Sequence, residues 1–402
     1  MTRRLAVWAL ATAGIVALTV LPGTAAAQTV VKIGWINSFT GFVAQAADEA
    51  QKAADLYLKL HEKDLPPGVK LELIKRDDTS NPEVAKRLAQ ELIAREHVQL
   101  IAGVVLSPSA AAIAPLTAEA KVPMLLCIAS AGVQIPRLSP YIARVSFTLW
   151  QQGYPIGKWA AEQGWKTGYT AVSDFIPGHD SEASFAKGFT DGGGKIIGAV
   201  RFPQANPDFV PFVQRIKDAK PDVAFFFVPA DPQATALIKA IRDLGVREAG
   251  INITAPQDLL PDEALPNMGD TPLGIVTSGI YSVAGDRPAN KAFVAAWHKE
   301  YGENSYPDFL SVDAWDGMVA LFDLIKATNG KFTADEAMDF FKKWKNPDSP
   351  RGPISIDPET RDIIQNIYIR RAEKVDGKLA NVEITTIPNV KDPWKELNPV
   401  KP

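Results

Sequence analysis

Apolar residues along the chain fall into short compact runs, separated by longer stretches where they recur every third or fourth position. Residues 30–36 form one such run, the mark of a strand buried on both faces. After a loop rich in Ser, Thr and Gly, residues 46–60 carry apolar positions at helical spacing. Residues 69–74 alternate as a strand, and Asp77-Asp78-Thr79-Ser80-Asn81 reads as a loop. Asn81 or Ser80 can cap the helix that follows, whose first position is Pro82, where a missing N–H costs nothing. That helix runs to about Arg95 with Val84, Leu88, Leu92 and Ile93 inward. Residues 98–105 make the next strand, Ser107-Pro108 opens another helix, and residues 122–128 are again a strand.

The series stalls near Arg144 and starts afresh near Trp150. Strands at 169–173, 195–202 and 222–228 alternate with helices at 181–190, 209–217 and 232–244. Such alternation predicts an α/β fold with parallel sheets and helices on both faces, each half doubly wound. Residues 273–282 read as a second crossing between the halves. Two helical patterns, 288–301 and 313–328, return to the first half, and strands near 363–370 and 382–387 belong to the second. The expected division is 28–147 with 280–350 as lobe 1, 148–279 with 351–388 as lobe 2, and 389–402 as a tail.

The N-terminus changes the picture of where this fold works. Arg3 and Arg4 precede an uncharged apolar stretch, residues 5–21, then Pro22-Gly23 and the small residues Ala25, Ala26 and Ala27. That order is a secretory signal peptide cleaved near Ala27. A membrane anchor would sit at the bottom of the spanning range and lacks a flanking charge after it. Removal leaves about 375 residues, more than one core accommodates, so two domains are the default. It also takes away two positive charges and no negative ones, making a chain of net charge −3 still more acidic. With no basic block, nucleic acid and anionic membrane surfaces are poor partners. Cys127 is the only cysteine, so no intramolecular disulfide forms, and its distance from the cleavage site excludes an N-terminal lipid anchor. A free protein of the periplasm is expected.

Catalytic signatures are missing from the sequence. The four histidines (His61, His97, His179, His298) have no metal-ligand spacing, and no H-E-x-x-H, cysteine pair, G-x-S-x-G elbow or Walker A loop occurs. Gly192-Gly193-Gly194 follows a helix instead of a strand and reads as a turn. His179 and Asp180 fall at a helix start, where capping or cleft lining suits them better than acid–base work. No cofactor, metal or catalytic residue is expected. More informative is Ser107-Pro108-Ser109-Ala110, which follows a buried strand and starts a helix. Free N–H groups there, with the hydroxyls of Ser107 and Ser109, suit a carboxylate as well as they suit plain N-capping. A second loop, Ala129-Ser130-Ala131-Gly132, also follows a strand end, where ligands of open parallel sheets bind.

The order and content of these segments resemble the branched-chain amino acid-binding family of periplasmic receptors, the type I fold served by ATP-driven importers. The resemblance rests on Lys32-Ile33-Gly34 with Thr40-Gly41, on Asp77-Asp78 followed by Asn81-Pro82-Glu83, and on the strand at 98–105. Val122-Pro123-Met124 with Ala129-Ser130, Asp208-Phe209 and Lys220-Pro221-Asp222 extend it over nearly all the mature chain. It implies two lobes joined by three crossing strands, with a ligand buried between them and closure about a hinge.

By that resemblance Ser107 holds the ligand carboxylate, and Ser130 stands where a threonine shares the task beside the backbone of Ala129. In the second lobe the family grips an ammonium with an acid; an ungapped reading puts Gln257 there, with Asp258 next to it if the alignment slips by one. Gly178 and Ala230 replace tyrosines that close the pocket. The carboxylate half of the site is thus kept while the ammonium half is altered, because a buried ammonium without a carboxylate partner is poorly compensated. A ligand with an apolar or aromatic body and no α-amino group is expected, with a hydrophobic amino acid as the alternative. Phe42, Phe147, Trp150 and Tyr281 could stack on a ring or simply pack. A monomeric receptor that passes its ligand to a membrane permease is the leading reading. A ligand sensor on the same fold and an exported α/β enzyme are the alternatives.

Overall fold

A computed structural model describes residues 28–399 apart from 133 and 231. Residues 1–27, read from sequence as a signal peptide, lie outside the described residues, as does the end of the tail.

The first sheet holds five parallel strands: β1 (Thr29–Asn37), β2 (Val69–Asp77), β3 (Leu100–Ala102), β4 (Met124–Leu126) and β5 (Ile142–Arg144), in the order β2-β1-β3-β4-β5. β1 pairs on both sides, with β2 and β3, which accounts for its near-continuous apolar sequence. Helices α1 (Ala44–His61), α2 (Pro82–Glu91) and α3 (Ser107–Ala120) make the crossovers. Asn81 is the cap of α2: its Oδ1 accepts from the N–H of Glu83 at 2.9 Å and of Val84 at 3.4 Å, with Pro82 next in sequence.

After β5 the chain crosses into a second lobe through α4 (Leu149–Glu162), which Thr148 and Gln151 start as a reciprocal capping box. Then follow β6 (Thr167–Ser173), α5 (Ile176–Asp191), β7 (Lys195–Phe202), α6 (Val210–Ala219), β8 (Val223–Phe227), α7 (Gln233–Asp243), β9 (Asn252–Pro256) and β10 (Val276–Gly279). These strands are parallel in the order β10-β9-β8-β6-β7. Helices α4 and α5 meet backbone to backbone. A Cβ at Gly157 would lie 2.5 Å from the Phe185 carbonyl oxygen, and one at Gly188 would lie 2.1 Å from that of Tyr154.

A second crossing carries the chain back through α8 (Pro288–Tyr301), α9 (Phe309–Thr328) and α10 (Ala334–Phe341). α9 packs along α1 of the first lobe. The third crossing runs through β11 (Lys345–Asn346) and β12 (Ile354–Ile356) into β13 (Ile363–Val375), which turns at once into β14 (Lys378–Val390). Both late strands join the second sheet, but β13 lies antiparallel to β10 and β14 antiparallel to β13. The wholly parallel pattern therefore ends here. Asp376 and Gly377 both take positive φ (49° and 79°), the geometry of a two-residue hairpin, and a turn this short allows only antiparallel strands. Residues 391–399 carry α11 (Pro393–Leu397), held against α4. Its buried Lys395 meets Asp362, which Arg144 also meets at 3.3 Å.

One buried side chain ties the crossings together. Arg351, fully enclosed, donates from Nε to Asp316 at 2.8 Å and from Nη1 to Asp313 at 2.7 Å and Gln365 at 2.9 Å. Its Nη2 donates to the Val145 carbonyl at 2.7 Å. It thus fastens α9, the first crossing and β13 at a single point.

Candidate functional site

The parallel strands of both lobes point their carboxyl ends at each other, and the loops leaving those ends enclose a cavity of about 70 Å³. From lobe 1, Val105, Leu106 and Ser107 follow β3, Ile128 and Ser130 follow β4, and Val43 and Ala46 follow β1. From lobe 2, Phe175 and Pro177 follow β6, Phe227, Pro229 and Ala230 end or follow β8, and Asp258 follows β9. Phe147 enters from the first crossing, and Phe309 and Leu310 from the start of α9. The lobes touch around this space. Phe42 meets Phe175 edge-on at 6.3 Å, Gln45 donates to Glu263 at 3.3 Å, and the Gly132 N–H donates to Asp180 at 2.8 Å.

Four phenylalanines dominate the wall, Phe147 against Phe309 at 5.7 Å and Phe175 against Phe227 at 6.2 Å. The polar side chains on it are few. Ser107 opens α3, where the first N–H groups have no partner within the helix, and its Oγ accepts from the Ala131 N–H at 3.0 Å, leaving its own proton to give. Among the described residues no hydrogen bond engages the Ser130 hydroxyl. Across the cavity sits Asp258, 8% exposed, whose Oδ2 has no partner. Burial pushes its carboxyl up to about 7, with a hydrogen bond from its own backbone N–H and the charge of Arg370 opposing the rise. Donors on one lobe and an acid on the other, with aromatic rings between, suit a small amphipathic anion.

The periplasmic binding protein family model matches residues 30–378. The chain belongs to that family. It is 39% identical over 377 residues to the Leu/Ile/Val-binding protein homolog 6 of Brucella suis, covering 93% of this chain and 95% of that one. A solute binding protein of an ABC transporter from Rhodopseudomonas palustris BisB5, solved with 3,4-dihydroxy benzoic acid, is 46% identical. It superposes with a TM-score of 0.87 over 91% of this chain and 99% of its own. Another from R. palustris, solved with 4-hydroxybenzoate, is 41% identical with a TM-score of 0.85, covering 90% and 98%.

In this periplasmic binding protein the residues singled out by sequence take different places. Ser107, Ser130 and Ala230 line the cavity. Ser109 turns away from it, donating to the buried Asp78 at 2.8 Å, where Ser38 also donates at 2.6 Å. Ala129 spends its N–H on the Val104 carbonyl at 2.9 Å, and its own carbonyl accepts from Ser146 at 2.9 Å. Gln257 is enclosed beside β10: its Oε1 accepts from the Ile280 N–H at 2.9 Å, and its N–H donates to Gln152 at 3.2 Å. The acid that faces the cavity is its neighbour, Asp258. Tyr281 is fully buried, packed edge-on to Phe293 at 6.5 Å, with its carbonyl accepting from Arg370. Phe42 covers Phe175 from outside the cavity wall, and Trp150 is buried off it.

Gly178 has no room for any side chain, since a Cβ there would lie 1.8 Å from the Ser173 carbonyl oxygen. The wall of that loop is made by Phe175 and Pro177 instead. Gly178→Ala is expected to destabilise the protein by about 1–3 kcal/mol or more by overpacking, read as a lower urea midpoint. An unchanged midpoint would contradict this packing.

Sequence reasoning missed Phe175, Phe227 and Phe309. The first two were within reach, because each ends or follows a strand whose carboxyl end must face the cleft. Phe309 starts a long helix distant in sequence, and no local pattern marks it.

Proposed function

We propose that this protein is the periplasmic receptor of an ABC importer and closes its two lobes around a small aromatic carboxylate. The observation that carries this reading is the cavity itself. Phenylalanines from both lobes and a crossing enclose it, and the helix-start donors of Ser107 and the Ser130 hydroxyl stand on one side. An anion placed there meets unpaired N–H groups and the positive end of a helix, and the rings suit a planar body. The R. palustris relatives bound to hydroxylated benzoic acids support the same ligand class. Because a ligand can touch both lobes at once only when they meet, binding shifts the population toward closure, and a permease can recognise the loaded shape. Family membership supports a periplasmic site of action, and among the described residues no helix is long and apolar enough to cross a membrane.

Titration calorimetry against benzoate, 4-hydroxybenzoate, 3,4-dihydroxybenzoate and leucine tests the reading. Aromatic acids are expected to bind and to be recovered unchanged. Ser107→Ala removes a hydrogen bond to a charged group and should weaken aromatic acid binding by roughly 10- to 100-fold. Aromatic affinity untouched by that change would remove Ser107 from the carboxylate site. A second reading, a hydrophobic amino acid, is favoured by Asp258, which could face an ammonium. Tight leucine binding with no response to the benzoic acids would establish it in place of the first.

A further inference from the structure

Among the described residues Asp258 is the one acid on the cavity wall, and its situation is unusual for a structural carboxylate. It lies on the helical turn Gln257–Leu259 at the carboxyl end of β9, more than nine-tenths buried, with Oδ2 unpartnered and the side chain lining the cavity. Among the described residues no salt bridge engages it. Arg370, whose charge acts on it, donates from its Nη atoms to the Tyr281 carbonyl and the Thr277 hydroxyl, leaves its Nε without a partner, and stands 3.9 Å from Asp262. A buried oxygen without a donor is costly unless something that enters the cavity supplies one.

Resting on the aromatic-carboxylate reading above, we infer that Asp258 accepts a hydrogen bond from a ring hydroxyl on the ligand, opposite its carboxylate. The receptor is on this account selective for para-hydroxylated aromatic acids over the unsubstituted ring. Three features support this. The carboxylate donors stand on lobe 1 and Asp258 on lobe 2, with phenylalanines between, so a ligand spanning the cavity meets Asp258 with its far end. A phenolic O–H offers a single donor to a single free oxygen, whereas an ammonium brings three donors to a wall whose other side chains are nearly all apolar. A hydroxyl can also donate or accept, so it suits Asp258 whether or not that residue is protonated, and burial has moved its carboxyl into the neutral range, to about 7. An ammonium needs the carboxylate form.

Isothermal titration of the mature protein with 4-hydroxybenzoate, benzoate and 4-methoxybenzoate tests the inference. Wild type should bind 4-hydroxybenzoate about tenfold or more tighter than benzoate, and 4-methoxybenzoate, which has no proton to give, no better than benzoate. Asp258→Leu should abolish that preference, bringing the affinities for 4-hydroxybenzoate and benzoate together. Equal wild-type affinities for benzoate and 4-hydroxybenzoate would overturn the assignment of Asp258 and leave the aromatic reading standing. So would an Asp258→Leu variant that still prefers 4-hydroxybenzoate. Failure of all three acids to bind wild type, with leucine bound, would overturn both. Even if the variant does not fold, equal wild-type affinities would still overturn the inference.

Discussion

Replacement of Arg351 by methionine is expected to destabilise the protein by about 3–5 kcal/mol at pH 8, the usual result of removing one partner from a buried ion pair. Arg351 is fully enclosed, with Asp313 and Asp316 both within 2.8 Å of its nitrogens. Without it two carboxylates stay buried with no cation. Burial already pushes both carboxyls above the ordinary range; Arg351 is the main group opposing that rise, helped at Asp316 by hydrogen bonds from Ser349 and Asn346. In the variant both can escape by taking up protons, so the deficit should shrink as pH falls toward 5. Urea denaturation at several pH values reads this directly. Adding Asp313→Asn and Asp316→Asn to Arg351→Met should recover much of the loss. A loss below about 1 kcal/mol at pH 8 would mean that the network adds little to stability. Because Arg351 also holds the Val145 carbonyl, two residues before Phe147 enters the cavity, aromatic acid affinity should fall with stability.

The second large effect has the opposite sign. Asp258→Asn is expected to stabilise the ligand-free protein above neutral pH. Burial raises the Asp258 carboxyl from 3.8 to about 7 on folding, so the folded state holds the proton more tightly than the unfolded chain. The cost of ionising Asp258 is therefore absent below about pH 4, grows as pH rises, and is complete above about 7. A shift of that size corresponds to roughly 4 kcal/mol at most. Thermal melting of wild type and variant between pH 4 and 9, without ligand, should show curves that converge at the acid end and separate by pH 8. Coincident curves at pH 8 would show that Asp258 ionises in the fold without penalty. A site that destabilises its empty form in this way keeps a reserve that a hydrogen-bonding ligand can recover.

The two-lobed α/β architecture was legible because it rests on local chemistry. Double burial of β1 makes residues 30–36 apolar throughout, and the period of α8 places it at 288–301 in sequence and in structure alike. Asn81 and Pro82 mark the start of α2 because a cap needs only its own side chain and the next two N–H groups. The hairpin of β13 and β14 was also written locally, in Asp376-Gly377, although strand alternation alone implied only parallel pairing.

The site divides along the same line. Ser107 was readable because a serine after a buried strand and before a helix is confined to that strand's carboxyl end. Asp258 and Gln257 could not be told apart in this way. On a single turn of helix, one residue of offset decides which side chain faces the cavity and which is enclosed against Ile280, and only the packing of β9 against β10 sets that offset. Gly178 reads as a tyrosine cut back to nothing until the Ser173 carbonyl, 1.8 Å from any Cβ, shows that no side chain fits there. Phe309 and Arg351 reach the cavity and the crossings from segments far along the chain. Sequence by itself determined the alternation of strand and helix, the order of most elements and the place of Ser107 at a helix start, since these depend on neighbours a few residues away. Which acid faces the cavity, which rings line it and which cation holds the crossings together depend on contacts between residues some 40 to more than 200 positions apart, and only the folded chain decides them.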